Sequence, residues 1–342
     1  PKSNASNDLL AMLLVTKYVD GLPLARFEYV LARAGVLVPR QTLARWVIGT
    51  AQALQPIANL MRDVLLGHDV IHMDETPVQV LKEPARAASS KSQMWVQRGG
   101  PPGKPVILFE YDPSRAQAVP LRLLEGWKGH LMADALESYG AISFTEGVTR
   151  LGCWVHARRR FVDAGKVLPE GKRGRAHEAL ALIGKLYAIE KEARELSDAE
   201  RLARRQSQSR AVIDELRRWL DQVLPTVPPT SVLGGALGYL HRQWPRLTRY
   251  LARGDLPIDN NPAENAIRPF VVGRKAWLFS DTQAGARASA LIYSLVETAK
   301  ANNVEPYLWL RHILRALPTA TTVEHFEALL PWHLKAEQLI TA

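Results

Sequence analysis

Three acidic residues, Asp74, Asp134 and Glu264, have the type and setting that metal-dependent phosphoryl transfer requires. Glu264 lies in the stretch 259–279, DNNPAENAIRPFVVGRKAWLF. Asn261 is a good N-cap there, Pro262 suits the first helical position, and Glu264 falls in the first turn. A purely structural reading makes Glu264 a capping-box glutamate, reaching back to the Asn261 amide and paired with Arg268 one turn on. Asp74 lies in VIHMDETPVQVL, residues 70–81, a short run rich in Val and Ile that predicts a buried strand. A carboxylate is out of place there, because burying it unpaired is costly. Alternation puts Asp74 and Thr76 on one face and Met73 and Glu75 on the other. The structural alternative is an arginine from elsewhere paired with Asp74 or Glu75. In GHLMADALESYG, residues 129–140, a short strand ends in Asp134 and leads into a polar turn and Tyr139. A strand-end Asp is often no more than a helix N-cap.

Taken together the three carboxylates match one chemistry. Two divalent cations roughly 3.5–4 Å apart activate an attacking oxygen and stabilise a leaving one in an in-line displacement at phosphate. Mg²⁺ and Mn²⁺ prefer oxygen ligands and keep several waters, so three carboxylates suffice. Strand middles and helix starts are rigid mounts. The three are far apart in sequence, so only the fold can assemble them.

The segments HMDETPVQVL, GHLMADALESYG, GCWVHARRRF, DNNPAENAIRPFVVGRKAWLF and GARASALIYSLVETAKANNVEPYLWL resemble, in that order, the catalytic region of bacterial insertion-sequence 66 family transposases. The closing LLPWHLK resembles that family's C-terminal end, and the similarity runs from about Pro1 to Ala342. The resemblance implies an RNase H-like fold and a DDE triad that maps onto Asp74, Asp134 and Glu264, holding two Mg²⁺ ions that Mn²⁺ can replace. It implies cleavage of double-stranded DNA at the element's terminal repeats and strand transfer into target DNA. It also implies a homo-oligomer on DNA and accessory proteins of the same element. Position 1 is Pro rather than an initiator Met, and the family's coiled-coil stretch and small metal-binding DNA-recognition module are not in this chain. That implies a fragment, a trimmed version or a decayed copy. The competing readings are a catalytically silent DNA-binding remnant that regulates transposition, and a two-carboxylate hydrolase of small substrates.

Around the acids lie candidate DNA contacts. GCWVHARRRFVDA, residues 152–164, has a Cys-x-x-His spacing, but with one Cys in the chain a four-ligand zinc site would need three further His or acidic ligands. Similar Cys-x-x-His pairs follow the second Asp in several DDE transposase groups, which puts His156 near the active site by resemblance. Arg158, Arg159 and Arg160 follow at once, either as backbone contacts or as a solvated basic face. Beyond Glu264, Arg268, Arg274 and Lys275 precede Trp277 and Phe279. Cations beside aromatics suit phosphate contact and stacking on an unpaired base, and core packing is the alternative for the two rings.

The elements that must position these residues fall into four regions. Residues 1–67 predict helices, with one stopping at Gly35 and a break at Pro56. Arg40, Gln41, Thr42 and Arg45 lead the later helix in a helix-turn-helix-like pattern. Residues 68–164 predict the first part of an RNase H-like core: strands at 70–81, 93–98, 105–111 and 129–134, and a fifth at TRLGCWVH. A helix at RAQAVPLRLLEGW and another between the fourth and fifth strands point to a mixed five-stranded sheet with flanking helices. Residues 165–258 predict an all-helical insertion whose Arg201, Arg204, Arg205 and Arg210 face either DNA or solvent. Residues 259–342 return to the core, with a helix over 284–303 whose Ala288, Leu291, Ile292, Leu295, Val296 and Ala299 form one apolar stripe. The class is α/β.

Composition is consistent with that reading. The chain has 342 residues, 47% apolar and 23% charged, which is globular. Its formal net charge of +10 points to a polyanionic partner. One Cys excludes an internal disulfide framework and fits a reducing compartment. No signal peptide and no run of roughly 20 apolar residues is present, so no membrane is expected. The expected place is the bacterial cytoplasm, on the nucleoid.

Overall fold

Four helices open the chain: α1 (Asn7–Tyr18), α2 (Leu24–Arg33), α3 (Arg40–Ala53) and α4 (Gln55–Leu66). Ser6 caps α1 by accepting the Leu9 N–H at 3.2 Å, and α2 gives way to Gly35 in the left-handed region at φ 78°. The long run ahead of the first strand is two helices, since Leu54 ends α3 and Pro56 sits in the first turn of α4. This computed structural model describes residues 4–169, 171–334 and 339, so Lys335, the last residue of the LLPWHLK motif, lies outside the described residues.

Strand β1 (Val70–Lys82) runs antiparallel to β2 (Lys91–Gly99), which runs antiparallel to β3 (Val106–Asp112). A short helix α5 (Ala118–Leu123) follows. Next come β4 (Gly129–Met132) and β5 (Val148–Leu151), a parallel pair, and then α6 (Trp154–Lys166). The helix expected between β4 and β5 does not form; two 3₁₀ turns, Glu137–Tyr139 and Ala141–Phe144, take its place. Local bonding explains this: Asp134 takes the Leu136 N–H at 2.9 Å in an Asx turn, and Gly140 and Gly147 interrupt the rest.

The helical block consists of α7 (Arg175–Glu192), α8 (Asp198–Arg204), α9 (Arg210–Val223) and α10 (Val232–Leu247). A π-helical turn, Arg205–Ser209, separates α8 from α9. The chain closes with α11 (Asn261–Trp277), β6 (Ser280–Thr282), α12 (Gln283–Ala301), α13 (Pro306–Ala316) and α14 (Val323–Glu327). The expectation of five strands therefore misses β6, a three-residue strand parallel to β1 through Val80 and Ser280. The described residues form a mixed α/β protein, and none of their helices is long and apolar enough to cross a membrane.

The chain divides into two units, residues 1–127 with 262–342, and residues 128–261. In the first, the outer edge of β3 is covered by α12 through two hydroxyls. Thr298 takes the Ile107 N–H at 3.0 Å and returns a bond to its carbonyl, and Ser294 takes the Phe109 N–H at 2.7 Å. The cover blunts an edge that could otherwise pair with another chain. Phe109, Phe270 and Tyr293 pack ring against ring beneath it, so α11 and α12 share one core with the sheet. In the second unit, α6 packs against α7 and α10, with Trp154 Nε1 donating to the Leu247 carbonyl at 2.8 Å. Gly152 is needed at that crossing, because a side chain there would run into the α10 backbone at Leu247.

Candidate active site

In the first unit the site is built on one face of β1. His72, Asp74 and Thr76 alternate onto it, and His72 lies directly across from Arg98 of β2. Helix α11 is tied to this face at two points. The Arg98 guanidinium donates to the Pro262 carbonyl at 3.0 Å, and Arg274 donates to the Thr76 hydroxyl at 3.2 Å. Glu264 lies on α11 between the two ties, as Asp74 lies on β1 between His72 and Thr76. Asp74 and Glu264 are therefore carried by elements bonded to each other at two points, and both are half-buried. Burial lowers the pKa of Arg98 and of Arg274, the cost of holding two guanidiniums inside.

Glu75 has a different role from its neighbour. Arg115 donates to its Oε1 through Nη2 at 2.6 Å and Nε at 3.2 Å, and the Glu75 side chain is 2% exposed. The arginine partner anticipated for one of these two acids thus belongs to Glu75. Asp74 accepts the Glu75 N–H on one oxygen at 2.9 Å.

The second unit carries Asp134, two residues past the end of β4 and half-buried. Buried Arg150 of β5 donates to the carbonyl of Asp134 and, at 3.0 Å, to that of Tyr139, stacking on the Tyr139 ring as well. These bonds fix the backbone from which the Asp134 carboxylate projects. Burial, reinforced by nearby Arg246, pulls the Arg150 guanidinium down to about 10. Cys153 immediately precedes α6 and takes the Asn260 N–H on its sulfur at 3.2 Å. Burial pushes its thiol up to about 12, so it rests as a protonated anchor for the segment that leads into α11. His156 sits in the first turn of α6, half-buried.

Arg158, Arg159 and Arg160 are all exposed. Successive helical residues point about 100° apart, so the three fan round α6 in different directions. Arg160 already lies 4.3 Å over the Tyr239 ring. Arg268 and Lys275 are exposed on α11, whereas Arg274 is committed to Thr76. Trp277 is half-buried against Phe270 at 5.5 Å, and Phe279 is exposed. In the helical block Arg205 faces inward. It grips Glu190 with two bonds at 2.8 and 2.7 Å and donates to the backbone carbonyls of Tyr250 and Leu256. Arg201 bonds the carbonyls of Ala193, Arg194, Leu196 and Gly254, and Arg204 pairs with Glu192 at 3.1 Å. Arg98 and Arg115 escape sequence reasoning, because strand register and side-chain partners are not written in local pattern.

Comparison with known proteins decides the family. Residues 2–288 match the family described as Transposase IS66 family, and residues 294–332 match the IS66 C-terminal element. The chain belongs to the IS66 transposase family. Among similar proteins of Sinorhizobium fredii (strain NBRC 101917 / NGR234), the uncharacterized protein y4qI is 29% identical over 97% of this chain and 63% of its own length. The uncharacterized protein y4jD is 29% identical over 98% of this chain and 67% of its own length. The chain thus spans 63% of the length of the first of these relatives.

Proposed function

We propose that this IS66 family chain is a DDE transposase with an RNase H-like core, in which Asp74, Asp134 and Glu264 hold two Mg²⁺ ions. The observation that supports the reading is the double tie of α11, the helix that bears Glu264, to the His72–Asp74–Thr76 face of β1. The three proposed ligands are carboxylates, the oxygen donors that Mg²⁺ and Mn²⁺ prefer, and Glu75 is not needed because Arg115 already meets its charge. Once bound, the ion pair supplies activation of the attacking oxygen and stabilisation of the leaving one.

The chain's own residues do the rest. Asp74 and Glu264 are held on rigid elements by Arg98 and Arg274, and Asp134 by the bonds of Arg150 to its backbone. Exposed Arg268, Lys275, Arg158 and Arg159 offer phosphate contacts without base selectivity. Water attacks the phosphodiester at each element end, and the freed 3′-hydroxyl then attacks target DNA. One site serves both steps, and no covalent protein–DNA intermediate forms. Cutting two ends in concert calls for at least two protomers on paired DNA. The test is cleavage of end-labelled terminal-repeat duplex. A nick at the element boundary that needs Mg²⁺ or Mn²⁺ and stops with chelator is expected; binding with no cleavage under either metal would leave a silent DNA-binding remnant.

A further inference from the structure

A cavity of about 460 Å³ in the first unit lies outside the acidic site, between α1, α3, the end of α11, β6 and the start of α12. Its wall includes Tyr18, Trp277 and Phe279, and its cations are Lys17 and Arg45, with the Gln41 amide one turn before Arg45 on α3. The size falls within the range of small-ligand clefts, about 300–1,000 Å³.

Two observations set it apart from a packing gap. The first is Lys17. Its ammonium lies 5.1 Å from the Tyr18 ring centroid and 5.4 Å from that of Trp277, and among the described residues neither Lys17 nor Arg45 is paired with a carboxylate. Burial of the amine lowers it to about 8. The one acid in the wall, Asp281, pairs with Lys82 at 2.9 Å in an exposed contact rather than with Lys17 or Arg45. A half-enclosed cation facing aromatic rings, with no anion of its own, is set to receive one. The second is Leu278, a bulky residue held in the left-handed region at φ 66°. That backbone ends α11 sharply and turns Phe279, 44% exposed, to the cavity as the chain enters β6. Strain of this kind persists where surrounding structure enforces it, commonly at ligand sites.

We propose that this pocket takes one unpaired DNA nucleotide, its base stacked on Phe279 and Trp277 and its phosphate held by Lys17 and Arg45. It rests on the reading of the chain as a DNA enzyme but assigns a site apart from the acids. Stacking tolerates any base, and the Gln41 amide can bond to a base edge.

The probe is a duplex with a single bulged 2-aminopurine, compared with its fully paired counterpart. Binding should quench the bulged base and favour the bulged DNA. Phe279→Ala should abolish the quench and weaken bulged-DNA binding about 5- to 150-fold, leaving paired DNA unchanged. Lys17→Met, which retains the length of the side chain, should weaken it as well. Equal affinity for both DNAs with no quench, or variants that track the wild type, would overturn the pocket. So would free dAMP binding as tightly as the bulged DNA. Cleavage measured on terminal-repeat DNA keeps the two readings apart: quench without cleavage removes the enzyme and retains the pocket, and cleavage without quench does the reverse.

Discussion

Replacing Lys17 with Met should make the protein more stable while weakening its hold on bulged DNA. The amine titrates at 10.5 in an ordinary setting and at about 8 in the fold, because burial penalises its charge. Between those values the unfolded chain binds more protons than the folded one, so stability rises with pH across that window. Below about 8 both states are charged and the fold bears the whole penalty, about 3 kcal/mol at ~1.4 kcal/mol per pH unit. Met keeps the stem and loses the contacts to Tyr18 and Trp277, each worth roughly 0.5–1 kcal/mol. A net gain of about 1–2 kcal/mol at pH 7 is the expected outcome. Urea unfolding followed by circular dichroism reads it, with wild type and variant compared at the same pH so that other groups cancel. The gain should be constant up to about pH 8 and shrink towards pH 10.5. A variant no more stable than wild type at pH 7, or a gain that ignores pH, would refute the account of a buried, unpaid ammonium.

Two further outcomes follow from the charges. DNA affinity should fall with salt by a log–log slope of about −0.9 per phosphate neutralised, and Arg158→Ala with Arg159→Ala should make it shallower. Arg160→Ala should change it less, since that guanidinium stacks on Tyr239; equal effects at all three would contradict the fan-shaped arrangement. Arg205→Ala, which removes a buried guanidinium and leaves half-buried Glu190 without its partner, should cost about 3–5 kcal/mol, whereas Arg204→Ala, at a more exposed pair, should cost under ~1 kcal/mol. Equal urea midpoints for those two variants would show that Arg205 does not anchor the helical block.

What was legible in the sequence was the set of elements with strong local pattern. Residues 70–81 are rich in Val and Ile and form β1, Gly35 stops α2, and Ala288, Ile292, Leu295, Val296 and Ala299 of the expected stripe are buried on α12. Leu291 is half-buried, and the helix is buried on its other faces as well. The segment between β4 and β5 was misread as a helix because an Asx turn at Asp134 and two glycines outweigh its weak propensity. β6 escapes the sequence because its three polar residues carry no strand pattern and their partner in β1 is set by tertiary structure. Arg205 looked like part of a solvated basic face. The π turn and the facing carboxylate that draw it inward belong to tertiary structure. Asp74 and Glu264 stood out by residue type and setting, but the arginines that hold their elements together could be found only from strand register and helix packing.

Mg²⁺-dependent cleavage of labelled terminal-repeat DNA by single-site variants tests the central claim most directly. Asp74→Asn, Asp134→Asn and Glu264→Gln keep side-chain shape and remove the charge that would hold metal. Each should reduce cleavage by several kcal/mol of barrier, more than about 10³-fold, with DNA affinity unchanged. Glu75→Gln, whose acid is engaged by Arg115, should keep cleaving at a substantial rate. Wild-type cleavage by any of the three variants, or loss at Glu75→Gln with retention at Asp74→Asn, would contradict the assignment.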